Sequence, residues 1–289
     1  CLKIFFLMKA IILNLSAWVM LPIMDGFAKY LSLTIPVLQI TWSRYFFTVI
    51  IVLPVMLIFF RKNFKWTEKP QLQLIRGLLL FCANILFFYS ISVISLAKAL
   101  TLAFIAPLIV TILSPILLGE KVGFRRWAAV ITGFIGSLIV IRPGFVEVNL
   151  ASIAALGTGV LYAFYLIVTR KLHNSDHPLL TLLLTGVVGA IIGSMIMPSV
   201  WVQPTINEWS MMFALGFFAS LGHLFLILSL KYADASKLAP FGYFEIITNI
   251  IIGYYFFNHF PDNWTFLGLI VIISSGIYIF RREALYKSN

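Results

Sequence analysis

Four ionisable side chains, Asp25, Arg44, His223 and Glu245, fall inside long hydrophobic runs where the chain offers them no water. Charge in hydrocarbon is costly, so such groups face a bundle interior or a water-filled cavity. Asp25 has Lys29 one helical turn further on, at i+4. At a rise of ~1.5 Å per residue, Asp25 and Arg44 lie at similar depth, roughly 9 and 12 Å below one surface. An Asp25–Arg44 ion pair tying two consecutive helices is therefore expected, with Lys29 as a second structural partner. Glu245 and His223 each lie roughly 12 Å below the opposite surface by the same rise. Thr248 and Asn249 share the Glu245 face, and the similar depth puts the two titratable groups within reach of each other. Two chemistries are open to these acids: balancing a cationic substrate, or carrying a proton with His223 as a second titratable site. A fixed bond that only locks helices is the third reading.

Other polar residues form stripes. Asn14, Trp18, Pro22, Asp25 and Lys29 recur at helical spacing, as do Thr158, Tyr162, Tyr165 and Thr169. Lipid cannot satisfy such faces, so they point inward. Tyr162 is too far from a span end to act as an interfacial anchor. Asn84 and Tyr89 add polar groups to the aromatic stretch Phe87-Phe88-Tyr89, and Lys98 is either a snorkelling residue or a carboxylate receptor at a cavity mouth. The candidate binding set is thus Asp25, Asn84, Tyr89, Lys98, Tyr162, Tyr165, His223, Glu245 and Asn249, with Arg44 and Lys29 in ion-pair roles. HExxH, P-loop, CxxC and GxSxG patterns are missing from the sequence. No catalytic residue, metal or cofactor is expected.

The elements that must hold these groups follow from composition. The 289 residues are 61% hydrophobic and 11% charged, against about 45–50% and about 25% in soluble domains. A membrane span takes about 20 apolar residues. Apolar runs between charge clusters give ten spans, near 9–31, 36–60, 71–93, 96–118, 124–141, 150–170, 178–199, 208–230, 236–257 and 263–280. The chain reads as an all-α integral membrane protein, which excludes a cytosolic enzyme, a DNA-binding module and a secreted disulfide scaffold. Cys1 and Cys82 make no framework. Met8-Lys9 reads as a natural start, which would make residues 1–7 a start-site artefact. The net charge of +11 reflects loop chemistry rather than a nucleic-acid partner. With the N-terminus inside, seventeen basic residues, Arg76 among them, fall on the cytoplasmic side and three (Lys29, Lys98, Arg142) outside. That bias places both termini in the cytoplasm.

An internal repeat supports this layout. Leu96-Ala97-Lys98-Ala99 through Pro107 to Glu120 is echoed by Asp234-Ala235-Ser236-Lys237 through Glu245 to Asn258, and Trp127 and Trp264 keep the offset to one residue. Five spans per half is an odd number, so the second half (146–289) must run upside down relative to the first (1–145). Inverted repeats of this kind place a substrate site near the midplane between the halves.

These features resemble the drug/metabolite transporter superfamily, EamA type, over essentially the whole chain. Within it, the likeness is to S-adenosylmethionine uptake transporters of intracellular bacteria. It is carried by Asp25-Gly26-Phe27-Ala28-Lys29-Tyr30-Leu31, Arg44-Tyr45-Phe46-Phe47, Leu74-Ile75-Arg76-Gly77-Leu78-Leu79-Leu80-Phe81, Ala233-Asp234-Ala235 running to Ala239-Pro240, Tyr243-Phe244-Glu245 and Phe257-Asn258-His259-Phe260-Pro261-Asp262. The chain departs from the likeness at Asn258-His259, where Asn-Glu is commoner, and at Gly242, where a larger polar residue occurs. The resemblance implies a secondary active transporter of a small polar or zwitterionic metabolite in a bacterial cytoplasmic (inner) membrane, working by alternating access. It further implies tyrosines that stack on a sulfonium nucleoside, Asp25 or Glu245 balancing its charge, and Lys98 on its carboxylate. A proton or an exchange substrate would be the second partner, and the protein a monomer or homodimer. The rival readings are an exporter of amino acids or a vitamin, a channel, and an integral-membrane lipid-modifying enzyme.

Overall fold

A computed structural model describes residues 2–59, 66–94, 96–141, 149–257 and 263–285. These residues are all helical or connecting. The helices are α1 (Leu2–Leu31), α2 (Val37–Phe59), α3 (Pro70–Val93), α4 (Leu96–Ala103), α5 (Ile105–Leu118), α6 (Phe124–Ile141), α7 (Leu150–Lys171), α8 (Pro178–Ile196), α9 (Ile206–Tyr232), α10 (Ala235–Leu238), α11 (Glu245–Phe257) and α12 (Asn263–Leu285), with a 3-10 segment, Ala239–Phe244, between α10 and α11. Six stretches are long and apolar enough to cross a membrane unaided: Phe5–Leu31, Val37–Phe59, Pro70–Val93, Leu150–Lys171, Pro178–Ser199 and Ile206–Tyr232. The other four spans are α4 with α5, α6, α10 with α11, and α12, which gives ten.

Local chemistry fixes the ends. Pro70 and Pro178 open α3 and α8 where a missing N–H costs nothing. Thr205 and Glu208 form a capping box at the start of α9, and Asn149 accepts the Ser152 N–H at 2.9 Å to start α7. Gly119 takes a left-handed conformation (φ 66°) that ends α5.

Two spans depart from the expected continuous helices. The fourth breaks at Phe104, three residues before Pro107, and the ninth is interrupted by the 3-10 segment that contains Pro240. A proline removes one N–H from the ladder and crowds the carbonyl four residues earlier. Such breaks are tolerated in membranes where the backbone lines a cavity. Both do so here.

The polarity is inside out compared with a soluble protein. Ile58, Ile116, Met195 and Ile270 stand on the outside of the bundle, whereas Arg44, Arg76, Gln73 and His223 are buried within it. Lipid-facing helices require that arrangement. Cys82 is also on the outer surface. Packing respects the exchange of the two halves. α1 packs along α9 as α3 packs along α7, and α2 meets α8 and α6 meets α12 across the pseudo-two-fold. The protein is therefore an all-α integral membrane protein of ten spans in two inverted five-helix repeats. One face, here the basic face, carries the C-terminal ends of α5, α7 and α9.

One residue in the charge count is misplaced. Arg76 does not stand among the charges of the cytoplasmic surface: it lies inside α3 and is fully buried. Arg61, Lys62, Lys65, Arg142, Lys287 and the Asn258-His259 pair lie outside the described residues, as does the side chain of Lys98.

Candidate functional site

A central cavity lies between α1, α3, the broken span α4–α5, α7, α9 and the broken span α10–α11. It holds about 950 Å³ of space between atoms, mouth included. Five of the expected residues line it: Asp25, Asn84, Tyr162, His223 and Glu245. Asn14, Trp18 and Thr158, from the polar stripes, line it as well. Both helix breaks reach the wall, through Phe104, Ala106 and Pro107 on one side and Ala239, Gly242 and Glu245 on the other. Gly159 makes the fit possible, since a Cβ there would lie 2.7 Å from the Ala103 carbonyl oxygen and 2.6 Å from Ile105 Cγ2. At Gly242 a Cβ would meet Pro107 Cγ at 3.4 Å and Trp18 Cζ2 at 3.7 Å, so any larger side chain would project into the cavity.

The walls divide by chemistry. The Tyr162 ring stacks on Tyr165 (centroids 5.4 Å apart, 26° between planes) and meets the edge of Trp18 at 6.4 Å. Trp18 Nε1 donates to Asn14 Oδ1 at 2.8 Å, and Asn14 Nδ2 donates to Ser229 Oγ at 3.3 Å. This short chain fixes the indole against α9. Asn84 donates to Tyr45 OH at 2.7 Å and to the Leu80 carbonyl at 2.6 Å. Asp25 Oδ1 and the Tyr162 hydroxyl are buried without a hydrogen-bond partner, and among the described residues none bonds the Glu245 carboxylate. Buried polar atoms are nearly always satisfied, so unpaired groups in a cavity wall mark capacity for a ligand or water.

Several expected contacts are not made. Asp25 and Arg44 form no ion pair; Arg44 instead lies over the Tyr45 ring at 4.7 Å and donates Nε to Met24 Sδ at 3.3 Å. Lys29 does not turn back to Asp25. It donates to the Ile91 carbonyl and, at 3.5 Å, to the Ile94 carbonyl, because the last carbonyls of α3 have no intrahelical donor. Glu245 and His223 share the cavity but do not bond each other. His223 Nδ1 pairs with Tyr165 OH at 2.9 Å. Tyr165 stands behind Tyr162 rather than on the wall, Tyr89 is only half-buried and away from it, and Asn249 folds back to donate to the Glu245 carbonyl at 2.9 Å.

Two features escaped the sequence reading. The first is Arg76, held on Thr169 Oγ1 (2.8 Å), the Thr181 carbonyl (3.0 Å), Tyr165 OH (2.7 Å) and Thr185 Oγ1. With Tyr165 and His223 it forms a hydrogen-bonded chain that ends at the cavity wall. The second closes the basic face. Arg170 Nη2 meets Asp234 Oδ1 at 2.8 Å, Nη1 donates to the Leu230 carbonyl at 2.7 Å, and Nε lies 3.4 Å from Glu120 Oε1. Glu120, positioned by the Gly119 turn, accepts from the Ala235 and Ser236 N–H groups, each at 2.9 Å, and from Ser236 Oγ at 2.6 Å. Among the described residues no group of three or more His, Cys, Asp or Glu side chains could hold a metal ion.

Comparison with known proteins agrees with this architecture. The EamA-like transporter family matches the chain twice, over residues 8–142 and 149–281. The chain is 29% identical over 259 residues to an S-adenosylmethionine uptake transporter of Rickettsia bellii, covering 90% of this chain and 89% of that one. A riboflavin transporter of Vibrio cholerae is 25% identical over 93% of this chain and 92% of its own. A pseudopaline exporter of Pseudomonas aeruginosa is 25% identical over 96% and 98%. A solved crystal structure superposes with a TM-score of 0.77 over 92% of this chain and 96% of its own at 16% identity, a likeness of fold alone. Two matches that together span nearly the whole sequence, on a bundle of ten helices with its cavity between inverted halves, make this chain a member of the EamA-like transporter family.

Proposed function

We propose that this transporter is a secondary carrier of a small cationic or zwitterionic metabolite of the S-adenosylmethionine type, taken up by alternating access across a bacterial cytoplasmic membrane with both termini inside. The observation that carries the reading is the character of the cavity wall. Among its described lining residues are two carboxylates, Asp25 and Glu245, and no lysine or arginine. A low-dielectric cavity with that balance attracts a cation. The aromatic faces of Trp18 and Tyr162 suit a sulfonium through cation–π contact and a nucleobase through stacking. The two halves, taken as residues 1–145 and 146–289, rock about this cavity, with the broken fourth and ninth spans flexing at Phe104 and at the 3-10 segment. The similarity to the Rickettsia transporter supports the substrate class and the inward direction, while the riboflavin and pseudopaline relatives keep the class wider. Asp25 and Glu245 are the acids assigned to charge balance or proton coupling.

The test is uptake of radiolabelled S-adenosylmethionine into proteoliposomes, with and without S-adenosylhomocysteine trapped inside. Saturable uptake, stimulated by the trapped compound, is expected. Folded, reconstituted protein that takes up none overturns the substrate assignment. Glu245→Gln separates the two coupling modes: loss of uphill accumulation with exchange preserved assigns the proton to Glu245, and equal loss of both assigns it to substrate binding.

A further inference from the structure

His223 is the one imidazole among the described lining residues of the central cavity, and hydrogen bonds reach it from behind the wall. Arg76 Nη2 donates to the Tyr165 hydroxyl at 2.7 Å, and that hydroxyl lies 2.9 Å from His223 Nδ1. All three side chains are buried. A guanidinium only donates, and a phenol has one hydrogen. Tyr165 therefore takes the Arg76 N–H on its oxygen and has its own hydrogen left to give. The nearby Thr169 hydroxyl is already engaged: it accepts from Arg76 Nε at 2.8 Å and donates to the Tyr165 carbonyl at 2.7 Å. The Tyr165 hydrogen goes to His223 Nδ1, which is then the bare nitrogen of the ring.

The proton of the neutral imidazole is consequently on Nε2, on the side of the ring away from Tyr165. Among the described residues Tyr165 is the only hydrogen-bond partner of His223, so the Nε2–H is unspent. A second proton, on Nδ1, would set the phenol oxygen between two donors and leave its hydrogen without that acceptor. It would also place a further cation close to Arg76 and to Arg44, which lines a small pocket with His223. The cavity carboxylates Asp25 and Glu245 are the opposing charges, and neither bonds the ring.

We infer that His223 is a fixed hydrogen-bond donor of the binding site: its Nε2–H reads an acceptor atom of the substrate. Tyr165, backed by Arg76, is the positioning residue that keeps the proton on that nitrogen. Resting on the carrier reading above, this takes His223 out of the proton-carrying set and leaves Asp25 and Glu245 in it. It also adds a demand on the substrate, which must present a hydrogen-bond acceptor as well as a positive charge. The ring nitrogens of an adenine are acceptors of that kind, and the Tyr162 face in the same wall is suited to stack on the heterocycle that carries them.

The experiment is nitrogen NMR of the purified protein in detergent, labelled at histidine and titrated with S-adenosylhomocysteine. The His223 signals are those lost in His223→Met. Without ligand, a bare Nδ1 and a protonated Nε2 are expected in the wild type, and Tyr165→Phe lets the proton exchange between the two nitrogens. A protonated Nδ1 in the wild type overturns the inference before any ligand is added. With ligand, the Nε2–H signal moves while Nδ1 stays bare; bound ligand that leaves Nε2–H unmoved overturns it too. In affinity, His223→Met is expected to cost about tenfold. Tyr165→Phe weakens binding by about threefold in the wild type and adds nothing in His223→Met, because it acts through the imidazole. An equal cost in both backgrounds shows that Tyr165 does not position His223. Folded protein that binds no S-adenosylhomocysteine sinks the substrate class of the carrier reading, and the tautomer of the ligand-free protein then judges the inference by itself.

Discussion

Lys29 and Arg170 occupy matching places in the two halves. Each sits near the end of the first helix of its half and donates to carbonyls at the C-terminal end of the third: Lys29 to Ile91 and Ile94 of the α3 end, Arg170 to Leu230 of α9. The chemistry is the same in both places, since a helix C-terminus presents unsatisfied carbonyls and the negative end of the dipole. The surroundings differ. Arg170 also meets Glu120 and Asp234, Asp234 pairs with Lys237, and Glu120 caps α10. That network joins α5 of the first half to α7, α9 and α10 of the second. The described contacts of Lys29 stay within the first half. Opening the basic face therefore separates partly buried charges, whereas opening the opposite face breaks no ion pair among the described residues. In the proposed alternating-access cycle, inverted repeats let one backbone plan run both gates, with side-chain substitution alone giving them unequal strength.

The largest expected effect comes from removing the hub of the network. Glu120→Ala deletes three hydrogen bonds and an ion pair from a side chain only 6% exposed. Hydrogen bonds to charged groups are each worth about 1.5–3 kcal/mol, so the basic face should open about tenfold or more as often. Leu238 lines the cavity near that face. With both native cysteines changed to serine, Leu238→Cys reports opening through its labelling rate with a charged thiol reagent applied from the basic side. Faster labelling by about tenfold is expected, and an unchanged rate would show that the network does not hold the gate. Arg170→Lys should do less. It keeps the charge but loses the planar fork that spans Leu230, Asp234 and Glu120, and an increase of about threefold to fivefold in the same rate is expected.

Lys29→Met tests the other end. The α3 carbonyls lose one partly buried donor and no ion pair breaks, for a change of about twofold to threefold. The readout is Leu100→Cys, a cavity residue in the half of the fourth span that starts from the opposite face. Comparable changes from Lys29→Met and Glu120→Ala would erase the asymmetry between the two gates.

Which of these residues the sequence could disclose follows from how each stands out. Asp25, His223 and Glu245 are legible because ionisable groups in apolar runs have few places to go, and Tyr162 because it is too deep to be an anchor. Spans are legible from length and hydropathy. The breaks in the fourth and ninth spans had a visible signal in Pro107 and Pro240, which the counting of apolar residues passed over. Arg76 falls within the third span yet counts with the cytoplasmic charges, because it lies about one and a half turns inside α3, close behind a cluster of basic residues. Tyr89 follows Asn84 by five residues, about 140° around the helix, so the two cannot share a face. The Glu120–Arg170–Asp234 network joins residues 50 and 64 apart in sequence. No periodicity connects such positions; only the packing of α5, α7 and α9 does. The Asp25–Arg44 pairing failed differently. Depth along a helix gives height, but not the rotation that sends Arg44 toward Tyr45 and Met24.

The smallest effect expected is that of pH, and it also separates the two ends. His173, beside the network, donates Nδ1–H to the Arg170 carbonyl at 2.7 Å. Partial burial, and then the Arg170 charge, hold its pKa below the ordinary 6.5. For Asp234, burial pushes upward, but the Lys237 hydrogen bond and the Lys237 and Arg170 charges outweigh it and bring the carboxyl below its ordinary value. Asp234 therefore contributes in full above the usual carboxylate range and is lost only in strong acid. His173 contributes in full above about 6.5. Its contribution declines as pH falls from there through its lower folded value, because the folded state resists the proton that the unfolded chain takes up. Between pH 8 and 5.5 only His173 of this pair titrates, and its exposure and solvent screening keep the effect small. Measured relative to a freely exposed cysteine, whose labelling falls with its thiolate fraction, Leu238→Cys labelling should rise by less than about twofold on acidification, and His173→Gln should flatten that rise. Leu100→Cys labelling, governed by Lys29 and backbone carbonyls, should show no matching step. A step of equal size at both ends would assign the pH dependence to the shared cavity acids and not to the network at the basic face.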